Sequence, residues 1–171
     1  PFQRITKKGK VLIENNYFSS QMHGILIEGD NNKWYESGGV QDITIRNNTF
    51  NTIGYGNGMS YPLLASPLFT DSQRIGDKKF HHNIDFSNNI IKSFNGQLVK
   101  AFSIKGLKIT NNIIELSTDY PVGTKLPAIS LDYCEDVIIE KNKFKNFDFP
   151  IVIDTKENSS SVKVKRNKGV K

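Results

Sequence analysis

The chain has one cysteine, Cys134, one tryptophan, Trp34, and two methionines in 171 residues. A single thiol cannot close an internal disulfide, so no covalent cross-link constrains the fold. Long apolar runs are also missing: stretches such as GILI and AISL fall far short of the roughly 18 residues a membrane-crossing helix needs. The opening residues, PFQRITKKGK, lack an initiating Met and the apolar centre of a secretory signal, so the sequence is expected to be an excerpt of a longer protein. Helical periodicity never persists beyond about two turns and tight-hairpin signals are scarce, which argues against helix bundles and antiparallel sandwiches. No group of carboxylates is dense enough for calcium and no paired metal ligands stand out, so neither a metal nor another cofactor is expected.

Charge is present but dispersed. Lys and Arg number 23 against 17 Asp and Glu, a net of +6. Nucleic-acid binding needs clustered cations, whereas these are spread through the chain. The one dense run, Lys163 to Lys171, overlaps the alternating VKVK that starts at Val162 and reads as an exposed last strand. Solvated outer faces are therefore expected, with neither nucleic acid nor membrane as a partner.

Against these absences one pattern recurs six times: an apolar residue, any residue, a second apolar residue, two spacers, then Asn. It occurs as VLIENNYF from Val11, ITIRNNTF from Ile43, IDFSNNII from Ile84, LKITNNII from Leu107, VIIEKNKF from Val137 and VKVKRN from Val162. The aligned residues Asn16, Asn48, Asn89, Asn112, Asn142 and Asn167 are 32, 41, 23, 30 and 25 residues apart. A helical repeat could not absorb such variation, because one extra residue rotates its apolar face away. A β-solenoid can, since insertions leave at the turns.

Within each copy the apolar residues alternate, as in Ile43 and Ile45, which means strands with one buried face. Phe18, Phe50, Ile91, Ile114 and Phe144, just past the Asn, are expected to re-enter the core, each burial contributing roughly 1.5–3 kcal/mol. The aligned Asn is expected to take the left-handed conformation of a tight bend and to bond through its amide to the Asn of the coils above and below. A second extended segment follows in GILIE, LVKAF, AISLD and PIVID. The prediction is all-β: a single right-handed parallel β-helix over residues 1–171, of about six coils, with insertions at 28–39, 54–82 and 116–127.

Chemistry is expected where the repeat is interrupted. The loop from Glu28 to Gly39, EGDNNKWYESGG, sets Glu28, Asp30 and Glu36 beside Trp34 and Tyr35. A tryptophan beside carboxylates suits a sugar, whose C–H face packs on the ring while its hydroxyls donate to the acids; it equally suits a polar loop folded over a coil edge. Glu28, Asp132 and Asp154 are candidates for one stacked column of carboxylates, or for solvated strand ends. His23, just before GILIE, is within reach of the Glu28 face, although a lone histidine more often packs or hydrogen-bonds. The stretch from Gly54 to His82 contains GYGNGMSYP, which matches no phosphate-binding loop, and is expected to wall a groove or cover an edge. His81 and His82, as strand neighbours, point to opposite faces and make a poor metal pair. Cys134 has no His partner in view and is not expected to be a nucleophile.

The runs GKVLIENNYF…HGILIEGDNNKWYESGGVQDITIRNNTF and IDFSNNIIKSFNGQLVKAFSIKGLKITNNII resemble the bacterial α-1,3-galactosidases of glycoside hydrolase family 110. The more specific part of the likeness is ILIEGD…WYESG, because Asn-turn repeats alone would match any β-helix. The resemblance implies an inverting β-helix enzyme that removes terminal α-linked galactose, a galactose-terminated glycan as partner, and a bacterial periplasmic or extracellular location. It implies substrate-pocket roles for Glu28, Asp30, Trp34 and Glu36, with His23 beside them. That family's paired catalytic aspartates lie in an Asp-Asp-Ala-type motif, and this sequence has no Asp-Asp; no catalytic acid or base is assigned, and the excerpt is expected to be inactive alone. A non-catalytic carbohydrate-binding or structural module is the alternative, ahead of a polysaccharide lyase. Uncapped solenoid ends are expected to favour end-to-end self-association.

Overall fold

The computed structural model describes residues 3–5, 8–31, 38–56, 59–69, 78–122 and 125–170. Each copy of the repeat supplies a strand to sheet 1: β2 (Lys8–Glu14), β6 (Gln41–Arg46), β10 (His81–Ser87), β13 (Ile104–Thr110), β16 (Glu135–Glu140) and β19 (Ser160–Lys165). The short segments after each Asn form sheet 2, with β3 (Tyr17–Phe18), β7 (Thr49–Asn51), β11 (Ile90–Ser93), β14 (Ile113–Leu116) and β17 (Lys143–Lys145). Sheet 3 comprises β1 (Gln3–Ile5), β4 (Ile25–Ile27), β8 (Leu63–Ala65), β12 (Val99–Phe102), β15 (Ile129–Asp132) and β18 (Ile153–Thr155). Among the described residues all pairings are parallel; the β2–β6 register shifts between Lys8 and Val11, and Ile43, Ile84, Leu107, Val137 and Val162 form one row. The chain is a right-handed parallel β-helix.

The core is the set of inward residues of the three sheets. Phe18, Phe50, Ile91, Ile114 and Phe144 are all buried, and the Phe18 and Phe50 rings stack at 4.9 Å between centroids. Parallel register places like side chains over like, so each coil completes the burial of the next. At the last coil that cover thins: Val164 is 49% exposed.

The turn from sheet 1 to sheet 2 always takes two residues, and they divide the work that the sequence assigns to one. Asn15, Asn47, Asn88, Asn111, Lys141 and Arg166 adopt φ between +55° and +60°. The aligned Asn that follows is not left-handed; it faces inward and carries the ladder. Asn112 Oδ1 accepts from the N–H and Nδ2 of Asn89 at 3.0 and 3.1 Å, while its own Nδ2 donates to Phe86 O at 3.0 Å and Asn142 Oδ1 at 2.9 Å. The same geometry runs from Asn16 to Asn167. Four of these amides, at 48, 89, 112 and 142, are buried yet fully hydrogen-bonded.

The stretch from Gly54 to His82 is not one insertion. It contains β8, the second coil's own sheet 3 strand, and β9 (Leu68–Phe69), which pairs with β5 (Asp30–Asn31) as a two-stranded extension. The true interruptions there are two, before and after β8. His81 and His82 open β10 and do face apart, His81 buried and His82 only partly so.

Candidate functional site

The three corners of the prism differ. The sheet 1 to sheet 2 turn never varies, whereas segments of uneven length join sheet 2 to sheet 3 and sheet 3 back to sheet 1. The outer face of sheet 3 is therefore the one face bordered by insertions on both sides. On strands of this sheet the residues between the inward ones point out: Lys100, Ser130 and Asp154 share one register row, and Phe102 and Asp132 share the next.

These outward residues floor a groove of about 510 Å³. One flank is Tyr61 with Leu126 and Pro127, and the other is Pro67, Leu68 and Phe69. The flank is braced across coils, since the buried Tyr61 hydroxyl donates to Pro127 O at 3.1 Å; burial pushes that phenol up from its usual range. Within the groove Lys156 Nζ lies 2.9 Å from Asp154 Oδ2, and Asn158 Nδ2 donates to Asp132 Oδ1 at 2.8 Å. Beside it the rings of Phe80, Phe69, Phe102 and Tyr133 follow one another edge-on or tilted, 5.1–6.4 Å apart, with Lys79 Nζ 3.1 Å from the Tyr133 ring centre. Aromatics, two carboxylates and two amines around a concave surface are the composition of a site for a polyhydroxylated ring.

A trough of about 590 Å³ lies on the outer face of sheet 1, over Thr44, Asn83 and Asp85. Strand residues alone line it. It follows the bend made by left-handed Asp42, Asn83 and Gly106, so it is a concavity of the sheet without loop-built walls.

The residues expected from sequence to form the site fare unequally. Glu28 follows β4, partly buried, at the N-terminal end of the sheet 3 face. Asp30 lies in β5, described by its backbone alone, and Trp34 and Glu36 fall outside the described residues. His23 is a bracing residue: its Nδ1 accepts from the Tyr61 N–H at 3.1 Å, and burial, aided by the charge of Lys100, holds the imidazole below its usual range. The stacked carboxylate column does not form. Asp154 pairs with Ser130, two residues before Asp132, and Glu28 is three coils from Asp132. Cys134 is buried and its thiol is pushed up to about 11 by burial, which removes it as a nucleophile. Lys100, Ser130, Lys156, Tyr61 and the Phe69–Phe102 pair were not singled out from sequence; alternation in VKAF and ISLD marks the outward positions but not what stands beside them.

Among known proteins, the model of the right-handed β-helix region matches residues 5–171. The α-1,3-galactosidase B of Bacteroides thetaiotaomicron is 34% identical over 168 residues, covering 95% of this chain and 27% of the relative. The α-1,3-galactosidase A of Bacteroides fragilis is 35% identical over 146 residues, 82% of this chain and 24% of the relative. The α-1,3-galactosidase B of Akkermansia muciniphila is 28% identical over 142 residues, 81% and 18%. The chain thus spans about a quarter or less of the length of these curated relatives.

Proposed function

We propose, from the premise that the chain belongs to the right-handed β-helix family, that it forms part of a bacterial glycoside hydrolase acting on terminal α-1,3-linked galactose. The observation that carries this reading is the sheet 3 groove, the one face that insertions wall on both sides. The relatives' names support the substrate.

Inverting hydrolysis needs two carboxyl groups roughly 6.5–9.5 Å apart with a water between them, one acid and one base. Asp154 is ion-paired to Lys156 and Asp132 is held by Asn158, so both are suited to accept hydrogen bonds from sugar hydroxyls. Lys100 donates from the floor and the rings of Phe69 and Phe102 pack on C–H groups. Glu28, Asp30, Trp34 and Glu36 are proposed as further substrate-binding residues, as the resemblance of their loop implies, and His23 acts by fixing Tyr61. The chain's share is recognition; no acid or base is assigned among these residues, and the Glu28 loop stays open as the source of one carboxyl group. Such an enzyme meets its glycans in the periplasm or outside the cell.

In the full-length protein, Lys100→Ala and Asp132→Asn are expected to raise KM for an α-1,3-galactoside by about tenfold, as for lost charge-assisted hydrogen bonds of about 1.4 kcal/mol. The value of kcat should stay within about twofold. Unchanged KM in both variants would remove the groove from the substrate site. A non-catalytic carbohydrate-binding module is the second reading, favoured by the same tethering of Asp132 and Asp154; galactoside binding without galactose release by the full-length protein would select it.

A further inference from the structure

A second depression, at the last two coils, is lined by cations. Where sheet 1 turns into sheet 2, Lys141, Lys143, Arg166 and Lys168 surround about 360 Å³, with Asn111 and Ile113 as the remaining lining. The fold puts them together. Lys141 and Arg166 hold the left-handed turn position in successive coils, and Lys143 faces Lys168 across a parallel bridge. Two rows of positive charge result, each repeating at the inter-strand step of about 4.8 Å.

Like charges directly opposite one another are unfavourable, and several cations elsewhere have their own acids: Arg46 with Glu14, Lys145 with Glu115, Lys156 with Asp154. Here a single carboxylate, Glu140, serves three, at 3.4 Å from Lys141, 3.3 Å from Lys165 and 3.5 Å from Arg166. Lys143 and Lys168 have no ion pair among the described residues. Three cations share one carboxylate and two have none, so positive charge is in excess here, which favours external anions.

We propose that this groove binds an anionic polysaccharide, one bearing sulfate or carboxylate groups along its length. The choice of polymer rests on the glycan reading above; the choice of charge rests on the groove. The lining has no aromatic side chain on which unpaired bases would stack, and it is a concave corner without the apolar face that seats a protein in a lipid interface. Lysines supply flexible point charges suited to groups spaced along a chain.

The test measures binding of this chain to dextran sulfate, polygalacturonate, neutral dextran and duplex DNA at about 50 and 200 mM salt. At least one of the two anionic polysaccharides should bind ~10-fold or more tightly than dextran or DNA, weakening as salt rises; which one does so separates sulfate from carboxylate recognition. Lys143→Glu with Lys168→Glu should lower that affinity ~10-fold or more, and Lys143→Gln with Lys168→Gln should lower it measurably. Lys10→Glu with Lys108→Glu, the same charge change on the outer face of sheet 1, should lower it less than ~3-fold. Equal losses in the two glutamate pairs, no preference over dextran, or DNA bound as tightly as polysaccharide would each overturn the assignment. Galactose release by the full-length protein is an independent readout, so either proposal can fail alone.

Discussion

His81 is fully buried at the corner before sheet 1, with its Nδ1 accepting from the Val40 N–H at 3.1 Å. Its Nε2 is buried without a partner among the described residues. Burial, with the neighbouring His82 adding to it, drives the imidazole down to about 3. The unfolded chain binds that proton from about pH 6.5 downward while the folded chain refuses it until about pH 3. The folded-state value is depressed, so this contribution to stability is complete above pH 6.5 and is lost as pH falls through that window. Unfolding free energy should drop by up to ~1.4 kcal/mol per pH unit from this group alone. His81→Asn keeps an acceptor for Val40 and should flatten the slope. Urea melts between pH 7 and pH 4 check this; parallel slopes in wild type and variant would show that the proton is taken up elsewhere.

At the scale of elements, strands and turns were legible in different degrees. Alternation of apolar residues identified every sheet 1 strand, because burial on one face of a pleat imposes a period of two. The ladder was legible as aligned asparagines, but which residue bends the chain was not. In four copies two asparagines are adjacent, and residue type cannot tell them apart. Lys141–Asn142 and Arg166–Asn167 held the clue: the bending position accepts any side chain whose backbone is held in the left-handed region, while the ladder position needs an amide that both donates and accepts. Strand β8 escaped notice because three residues between Pro62 and Pro67 are too short to show a period.

The base of the Glu28–Gly39 loop is an element with its own logic. A Cβ at Gly29 would run into the Phe80 ring, and one at Gly39 into the Phe80 carbonyl oxygen. Phe80 therefore sits against both ends of the loop, and only glycine lets them close on it. The ring at Gly29 can swing aside, whereas the backbone at Gly39 cannot. Gly39→Ala is expected to destabilise by roughly 2–3 kcal/mol, the scale of core overpacking, and Gly29→Ala by about half of that. Hydrogen exchange at the neighbouring Val40 and His81 amides should accelerate in the Gly39 variant; equal protection in both variants would contradict the clamp.

For the molecule as a whole, the solenoid makes three outer faces with different neighbours. Sheet 2 and sheet 1 share the invariant two-residue turn, so the corner between them is smooth except where four cations gather on it. Sheet 3 has uneven segments along both edges and becomes a groove. That division could be seen in the sequence as uneven Asn spacing, but the groove's floor could not. Lys100 and Ser130 look like ordinary solvated strand residues until loops from other coils, carrying Phe69 and Pro127, are placed beside them.

Titration of this chain with an α-1,3-linked galactose disaccharide, followed residue by residue through backbone amide NMR shifts, locates the sugar site on the solenoid. A sheet 3 site gives saturable shifts confined to that face, at Phe69, Lys100, Phe102, Ser130 and Asp132, and their loss in Asp132→Asn. Shifts confined to sheet 1 or sheet 2, or sheet 3 shifts matched by an unrelated disaccharide, would contradict it.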